Sequence, residues 1–244
     1  MGDLHLSCGV NKPMEIFGDR WLDHKEKIEK NWKKIIKPDD TIIVPGDISW
    51  GLDLAEAKPD FDFIESLPGK KIFLKGNHDL YWVTQNKMRI FTEVNGYKTF
   101  SFLYNSACET ENYIICGTRG WYTDEREQVS DKAENQKITA REVGRLKLSI
   151  NCAQALQKKI KEETGIEKEI IAFLHFPAVF PGYICDELVD VLYKAEISRC
   201  YYGHIHGNYD VPYKIRYADI DFYITSADYL NFVPMLITKK IQTN

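Results

Sequence analysis

Short apolar runs, each followed at once by polar residues or glycine, recur along this 244-residue sequence. Runs of this length are typical of buried strands, and they lie at 41–44, 72–74, 169–174 and 198–202. Between them, apolar residues recur three or four positions apart, which indicates amphipathic helices. These helical segments lie at 24–37, 53–66, 138–163 and 187–195. Alternation of strands with helices predicts an α/β fold with parallel pairing.

The remaining strand-like runs are less regular. Residues 100–104 and 112–116 are expected to form strands, with a hairpin as one arrangement, and three more are expected at 215–217, 221–225 and 233–238. Residues 119–165 are expected to form a partly helical insertion within a single domain, 1–244, and the stretch 123–137 is polar enough to be exposed. The length and the 44% hydrophobic content suit one large domain.

Composition narrows the function classes. The net charge of -4 and the pI of about 5.9 give no support to nucleic-acid binding, which needs a basic face. No apolar run approaches the ~20 residues that a membrane span requires, and no signal peptide is recognisable at the N-terminus. The six cysteines include no CxxC pair. We therefore expect reduced thiols in a cytoplasmic protein without a membrane partner.

Polar residues with metal-binding chemistry stand at the ends of the apolar runs. They are Asp47, Asn77, His175, His204 and His206, and Asp3 and His5 open the chain. Carboxyl ends of parallel strands face the crevice where open α/β sheets hold ligands. Imidazole, carboxylate and amide oxygen together suit Mn, Zn, Fe or Co. No cysteine occupies such a position, which argues against a structural zinc finger.

The blocks Asp3-x-His5, Gly46-Asp47, Gly76-Asn77-His78-Asp79, His175 and Gly203-His204-x-His206 occur in this order. In this order they resemble the calcineurin-like metallophosphoesterase superfamily, the phosphohydrolases related to Ser/Thr protein phosphatases. The resemblance implies a four-layer αββα sandwich with mixed sheets. It also implies two divalent metal ions, for which we favour manganese.

The resemblance assigns a role to each motif residue. Asp3, His5 and His206 would bind the first metal, Asn77, His175 and His204 the second, and Asp47 both. His78 would be catalytic, beside the leaving group, with Asp79 orienting it. The implied reaction is hydrolysis of a phosphomonoester or phosphodiester by in-line attack of a metal-bridging hydroxide. His24 matches no motif and is expected on a helix surface.

The sequence indicates less about the substrate than about the metal ligands. Arg119 is expected either to bind a phosphate or to pair with an acidic residue of the polar loop. Tyr81 and Trp82 are expected either to stack on a ring of the substrate or to pack their loop against the core. We favour a phosphorylated small molecule or nucleotide. The alternatives are a Ser/Thr protein phosphatase and a scaffold that has lost catalysis.

The beginning of the chain departs from the family pattern. The family carries a strand directly before the first Asp-x-His, and here only Met1 and Gly2 precede Asp3. Either the native chain starts upstream or this first strand is truncated. In the second case Asp3 and His5 would lie on a fraying terminus. We then expect reduced occupancy of the first metal.

Overall fold

In the computed structural model of the protein, residues 1–122 and 132–238 are described. The helices of these ranges are α1 (His24–Ile35), α2 (Leu54–Glu65), α3 (Gln85–Asn95), α4 (Lys132–Thr164) and α5 (Asp186–Lys194). The strands are β1 (Thr41–Pro45), β2 (Lys70–Leu74), β3 (Phe100–Phe102), β4 (Cys108–Glu109), β5 (Tyr113–Thr118), β6 (Glu169–Leu174), β7 (Val179–Phe180), β8 (Tyr183–Ile184), β9 (Arg199–Tyr202), β10 (Lys214–Tyr217) and β11 (Ile220–Ile224).

The strands form two large sheets. One has the order β1-β2-β3 and is parallel throughout. The other has the order β10-β11-β9-β6-β5-β4. Its four central strands are parallel, while β10 and β4 pair antiparallel at its edges. Parallel strands place all their carboxyl ends at the same edge of a sheet, so the loops that follow them can meet.

Side chains alternate between the two faces of each sheet and so build three apolar layers. Ile43 and Phe173 belong to the layer between the sheets. Phe61 of α2 packs on the outer face of the three-stranded sheet. Leu146 of α4 and Leu188 of α5 pack on the outer face of the six-stranded sheet. The prediction of a four-layer αββα sandwich is confirmed, with one parallel and one mixed sheet.

The structure differs from the sequence-based expectations at three places. Strands β3 and β5 form no hairpin, because β3 pairs with β2 while β5 pairs with β4 and β6 in the other sheet. Residues 233–238 contain no regular strand. Helix α3 went unnoticed because its apolar spacing is irregular and Ile90 and Val94 are exposed. It is delimited by Thr84, which caps the first turn, and by the left-handed Gly96.

The first residues are fixed although they form no regular strand. Gly2 bridges to Ser226 and Leu6 to Ser49, both in parallel register. The amides of Asp3 and His5 donate to the carbonyls of residues 46 and 47 at 2.9 and 3.0 Å. Asp3 is 0% exposed. The expectation of a fraying segment is therefore wrong, because backbone bonds to the loop after β1 hold these residues in place.

All six cysteines are free thiols, as expected, and three of them are buried. Burial raises the pKa of the Cys116 thiol to about 12, which keeps it protonated. None of the helices in the two described ranges combines the length and the apolar character that crossing a bilayer would need.

Candidate metal centre

Two groups of side chains with metal-ligand chemistry lie at the carboxyl edge of the sheets. Asp3, His5 and His206 form the first group, and Asp47, His175 and His204 form the second. Within each group the candidate ligand atoms lie within 4.8 Å of one another. These are the residues that the motifs assign to two separate metals. Asp3 and His206 are far apart in the sequence, and the loop after β9 reaches the start of the chain where the His204 amide donates to Asp3 Oδ1 at 2.9 Å.

Asn77 completes the second group. Its Oδ1 lies 2.6 Å from His175 Nε2 and 3.1 Å from His204 Nδ1. In the first group, His5 Nε2 and His206 Nε2 are 3.2 Å apart. Two imidazole nitrogens this close together could bind one shared cation. All seven predicted ligands are thus brought together.

Asp47 lies between the two groups. Its Oδ2 is 3.7 Å from His5 Nε2 and 3.5 Å from His175 Nε2, one nitrogen from each group. Its Oδ1 is held by the backbone amide of His78 at 2.8 Å. One oxygen is therefore anchored, and the other is presented to both groups.

The buried oxygens test whether this set of residues fits metal ions. Asp3 Oδ2 and Asp47 Oδ2 are buried and have no hydrogen-bond partner. An unpaired buried carboxylate oxygen is costly. Burial, with the negative charges of Asp79 and Asp3, raises the pKa of Asp47 well above its ordinary value. Divalent cations would satisfy both oxygens and hold Asp47 ionised, so the residues fit the two metals that the family implies.

Partners of the ring nitrogens orient the imidazoles. His175 Nδ1 donates to the Pro45 carbonyl at 3.0 Å, which leaves Nε2 as an acceptor. His206 Nδ1 bonds Asp228 Oδ1 at 2.8 Å, which again directs Nε2 inward. Burial would lower the pKa of His206, but its hydrogen bonds to Asp228 and Asp3 raise it to about 10. This is the partner arrangement that fixes metal-binding histidines.

Asp228 escaped the sequence analysis, which predicted only strands in the segment after His206. A signal was present, because Asp228 follows the strand-like run 221–225 just as Asp47 follows 41–44. The carboxylate is buried and also accepts from the Tyr209 hydroxyl at 2.9 Å.

Replacing Asp228 by alanine should lower metal affinity at the first group by about 10- to 100-fold, because His206 loses the partner that orients it. Chelator competition would measure the affinity. Asp228→Asn keeps a hydrogen-bond acceptor and should lose less metal affinity. Asp210→Ala, at an exposed position, should leave the metal affinity unchanged. Unchanged affinity in Asp228→Ala would contradict the role.

Backbone conformation contributes to the site. Asp3, His5, Asp47 and His204 all have positive φ, between 45° and 67°. Non-glycine residues rarely adopt this region, and strain of this kind concentrates at functional sites. Gly203 precedes the candidate ligand His204, and there is no room for a side chain at this position. A Cβ there would lie 2.3 Å from Asp3 Oδ2.

Gly203→Ala should therefore displace the Asp3 carboxylate and empty the first group, leaving about one metal per chain. The overpacking should also cost roughly 1–3 kcal/mol of stability. Metal content and thermal unfolding would measure both effects. Gly144→Ala is the matched control, since a Cβ in that helical position meets nothing within 4 Å. Two metals per Gly203→Ala chain would refute the steric argument.

Asp79 does not orient His78 as predicted. Its carboxylate accepts from the backbone amides of Asp47, Ile48 and Gly76 at 2.9, 2.8 and 2.7 Å. It also accepts from the Tyr81 hydroxyl at 2.9 Å. These four donors occupy the lone pairs of a carboxylate. Among the described residues no hydrogen bond joins Asp79 to the His78 ring, so Asp79 holds the loops that carry the ligands.

His78 lies beside the first group in an aromatic setting. Its ring centroid is 4.5 Å from that of Trp50 and 5.6 Å from that of His5. Trp50 also stacks on His5, with centroids 5.0 Å apart. Trp50 carried no chemical signal in the sequence and was missed. Burial, followed by the charges of His175 and His206, lowers the pKa of His78.

The residues predicted for substrate binding separate into two kinds. Tyr81 and Trp82 are buried in the cluster around α2, so packing and not substrate stacking is their role. Arg119 lies at the edge of the centre, where its guanidinium faces Trp121 and Phe176. The acidic partner considered for it belongs to the polar stretch 123–137, of which residues 123–131 lie outside the described residues.

His24 is also placed differently from the prediction. It is buried at the start of α1, and its Nε2 lies 3.2 Å from the His5 carbonyl. It therefore supports the backbone of a candidate ligand and does not lie on the helix surface.

Two ligand groups that share one carboxylate form a candidate site for two metal ions. Residues 1–208 match the family described as calcineurin-like phosphoesterase. The chain belongs to the calcineurin-like phosphoesterase family. The resemblance that the motifs indicate is confirmed by this match.

Curated relatives match shorter stretches. An uncharacterised protein of Methanocaldococcus jannaschii is 34% identical over 76 residues, which cover 31% of this chain and 39% of that protein. The gene 66 protein of Mycobacterium phage L5 is 34% identical over 79 residues, which cover 32% of this chain and 37% of that protein. The chain thus spans less than half the length of either relative.

Two solved structures are similar over most of their length. A protein of unknown function from Aquifex aeolicus has a TM-score of 0.49 at 14% identity, with 96% of this chain and 92% of that chain covered. The phosphopantetheinyl hydrolase of Mycobacterium tuberculosis has a TM-score of 0.48 at 16% identity, with 93% and 87% covered. These scores are too low to inform the substrate.

Proposed function

We propose that the protein hydrolyses phosphomonoesters or phosphodiesters of small molecules or nucleotides at this centre, with manganese as the favoured metal. The position of Asp47 Oδ2 supports this most, because it is buried, has no partner and faces one histidine of each group. A shared carboxylate lets two ions act on one phosphoryl group.

In this proposal each ion would have its own ligands. Asp3, His5 and His206 would hold one ion and Asn77, His175 and His204 the other, and Asp47 would serve both. When bound, the ions lower the pKa of a coordinated water toward neutrality and offset charge on the phosphoryl oxygens.

His78 serves the leaving group. Its lowered pKa makes the free imidazole mostly neutral at pH 7. A bound phosphate favours the imidazolium form through its negative charge. His78 then holds a proton while substrate is in place and donates it to the leaving oxygen, a contribution of typically ~10²–10⁴-fold.

The test is a metal and substrate panel. The purified protein is stripped with a chelator and reloaded with Mn, Zn, Fe, Co or Mg. It is then assayed on para-nitrophenyl phosphate, bis-para-nitrophenyl phosphate, nucleotides and a phosphoserine peptide. Turnover of a small ester that disappears on chelation supports the proposal. Turnover of the peptide alone indicates a protein phosphatase, and metal binding without any turnover indicates a scaffold.

A further inference from the structure

Arg119 is fixed next to the second ligand group. It follows β5 directly, and its carbonyl accepts from the amides of His175 and Phe176 at 3.1 and 2.8 Å. His175 is a candidate ligand, and the Phe176 ring lies 4.4 Å from the ring of His204, another one. Arg119 is thus attached by its backbone to the loop that carries the second group.

The guanidinium of Arg119 is held without being paired. Its centre lies 5.6 Å from the Trp121 ring and 5.8 Å from the Phe176 ring. Its Nε is buried and has no hydrogen-bond partner. A buried donor without a partner is costly. Such a group is restrained by its stacking contacts and available to an anion that enters the site.

Glu142, whose charge acts on Arg119, is already engaged. It is buried on α4, where it accepts from Thr118 Oγ1 and pairs with Arg145, both at 2.7 Å. Lys75 follows Leu74 at the end of β2, which lies against the end of β5, since a Cβ on Gly117 would be 3.1 Å from Leu74 Cδ2. Among the described residues neither Lys75 nor Arg119 has an ion pair, so in this part of the chain no carboxylate is paired with either positive charge.

Arg119 belongs to neither ligand group but lies next to the second one. The Phe176 ring contacts both, with its centroid 4.4 Å from that of the His204 ring and 5.8 Å from the centre of the guanidinium. An anion held by Arg119 would therefore lie beside a phosphoryl group held at the ligands.

We propose that Arg119, with Lys75 beside it, forms an anion subsite that takes a second phosphate group of the substrate, next to the phosphoester that is cleaved. This inference rests on the proposed function. The planar fork of an arginine matches phosphate oxygens in bidentate geometry. The substrate class is accordingly a small molecule that carries two phosphate groups.

The test compares two non-hydrolysable probes on the manganese-loaded protein by calorimetry. Methylphosphonate carries one phosphonate and methylenediphosphonate carries two. Arg119→Met should weaken binding of the diphosphonate by about 10- to 100-fold, the range of a charge-assisted hydrogen bond. Binding of methylphosphonate should weaken by less than about threefold, with metal content unchanged. Lys75→Met should act in the same direction, by about three- to tenfold.

Controls keep the outcome interpretable. Arg89→Met removes an exposed arginine of α3 that pairs with Glu93, and it should change neither affinity. Arg119→Lys keeps the charge and should retain part of the preference. The subsite would be wrong if Arg119→Met lost affinity equally for both probes, or lost none for the diphosphonate. If Arg119→Met failed to fold, its thermal unfolding curve would show this. Binding of the two probes to Lys75→Met would then test the subsite.

The subsite and the proposed function fail in different ways. If the wild-type protein hydrolyses para-nitrophenyl phosphate but Arg119→Met binds the diphosphonate normally, the subsite is wrong and the function stands. If no ester is hydrolysed but the diphosphonate preference depends on Arg119, the function is wrong and the subsite stands.

Discussion

Replacing Asp47 by alanine should remove bound metal and phosphoesterase activity together. The carboxylate lies between the two ligand groups, and its Oδ2 faces His5 and His175. Its loss removes one of only two ligand carboxylates, so two ions would be held mostly by neutral ligands. We expect fewer than two metals per chain and a fall in kcat of more than about 10³-fold, because electrostatic stabilisation of this kind contributes several kcal/mol.

Metal content by mass spectrometry and turnover of para-nitrophenyl phosphate would be measured on the same preparation. Asp190→Ala is the control, because Asp190 is an exposed carboxylate of α5 that pairs with Lys194 on the surface. Two metals per chain in Asp47→Ala would show that the carboxylate is not shared.

Replacing His78 by alanine should separate catalysis from metal binding. The His78 ring lies against Trp50 and close to His5 but belongs to neither ligand group. We expect kcat to fall by about 10²- to 10⁴-fold, the usual effect of removing a general acid, while metal content stays the same. The loss should be larger for an alkyl phosphate than for para-nitrophenyl phosphate, whose leaving group needs no proton.

Leu80→Ala is the control for this variant, since it alters the same turn at a side chain that is 62% exposed. Turnover of His78→Ala at the wild-type level would exclude the proton-donor role. Loss of metal would instead make His78 part of the centre itself. Neither outcome would affect the assignment of Asp47.

The ligands could be predicted from sequence because each of the strand-end motifs carries its own local signal. Asp47, Asn77 and His175 each follow a buried apolar run, and parallel pairing places such positions together without further information. Their partners could not be predicted in the same way. The contact of Asp228 with His206 depends on the path of the chain between them, which no spacing encodes.

Asp79 shows a different limit. Its position next to His78 suggested a pair, since adjacent acid and imidazole often hydrogen-bond. The backbone around a buried carboxylate determines which groups donate hydrogen bonds to it. Here the donors are the backbone amides of two loops. The strand pair at 100–104 and 112–116 was misassigned for a related reason: closeness in sequence suggested a hairpin, but the two runs entered different sheets.

The four hydrogen bonds of Asp79 have a consequence for the motions of the site. One carboxylate accepts amides from the loop after β1 and from the loop after β2. Neither loop can open locally without weakening bonds that hold the other, so the two loops form one cooperative unit. Metal loading at either group should then tighten both, so two bound ions would be coupled through the backbone as well as through Asp47.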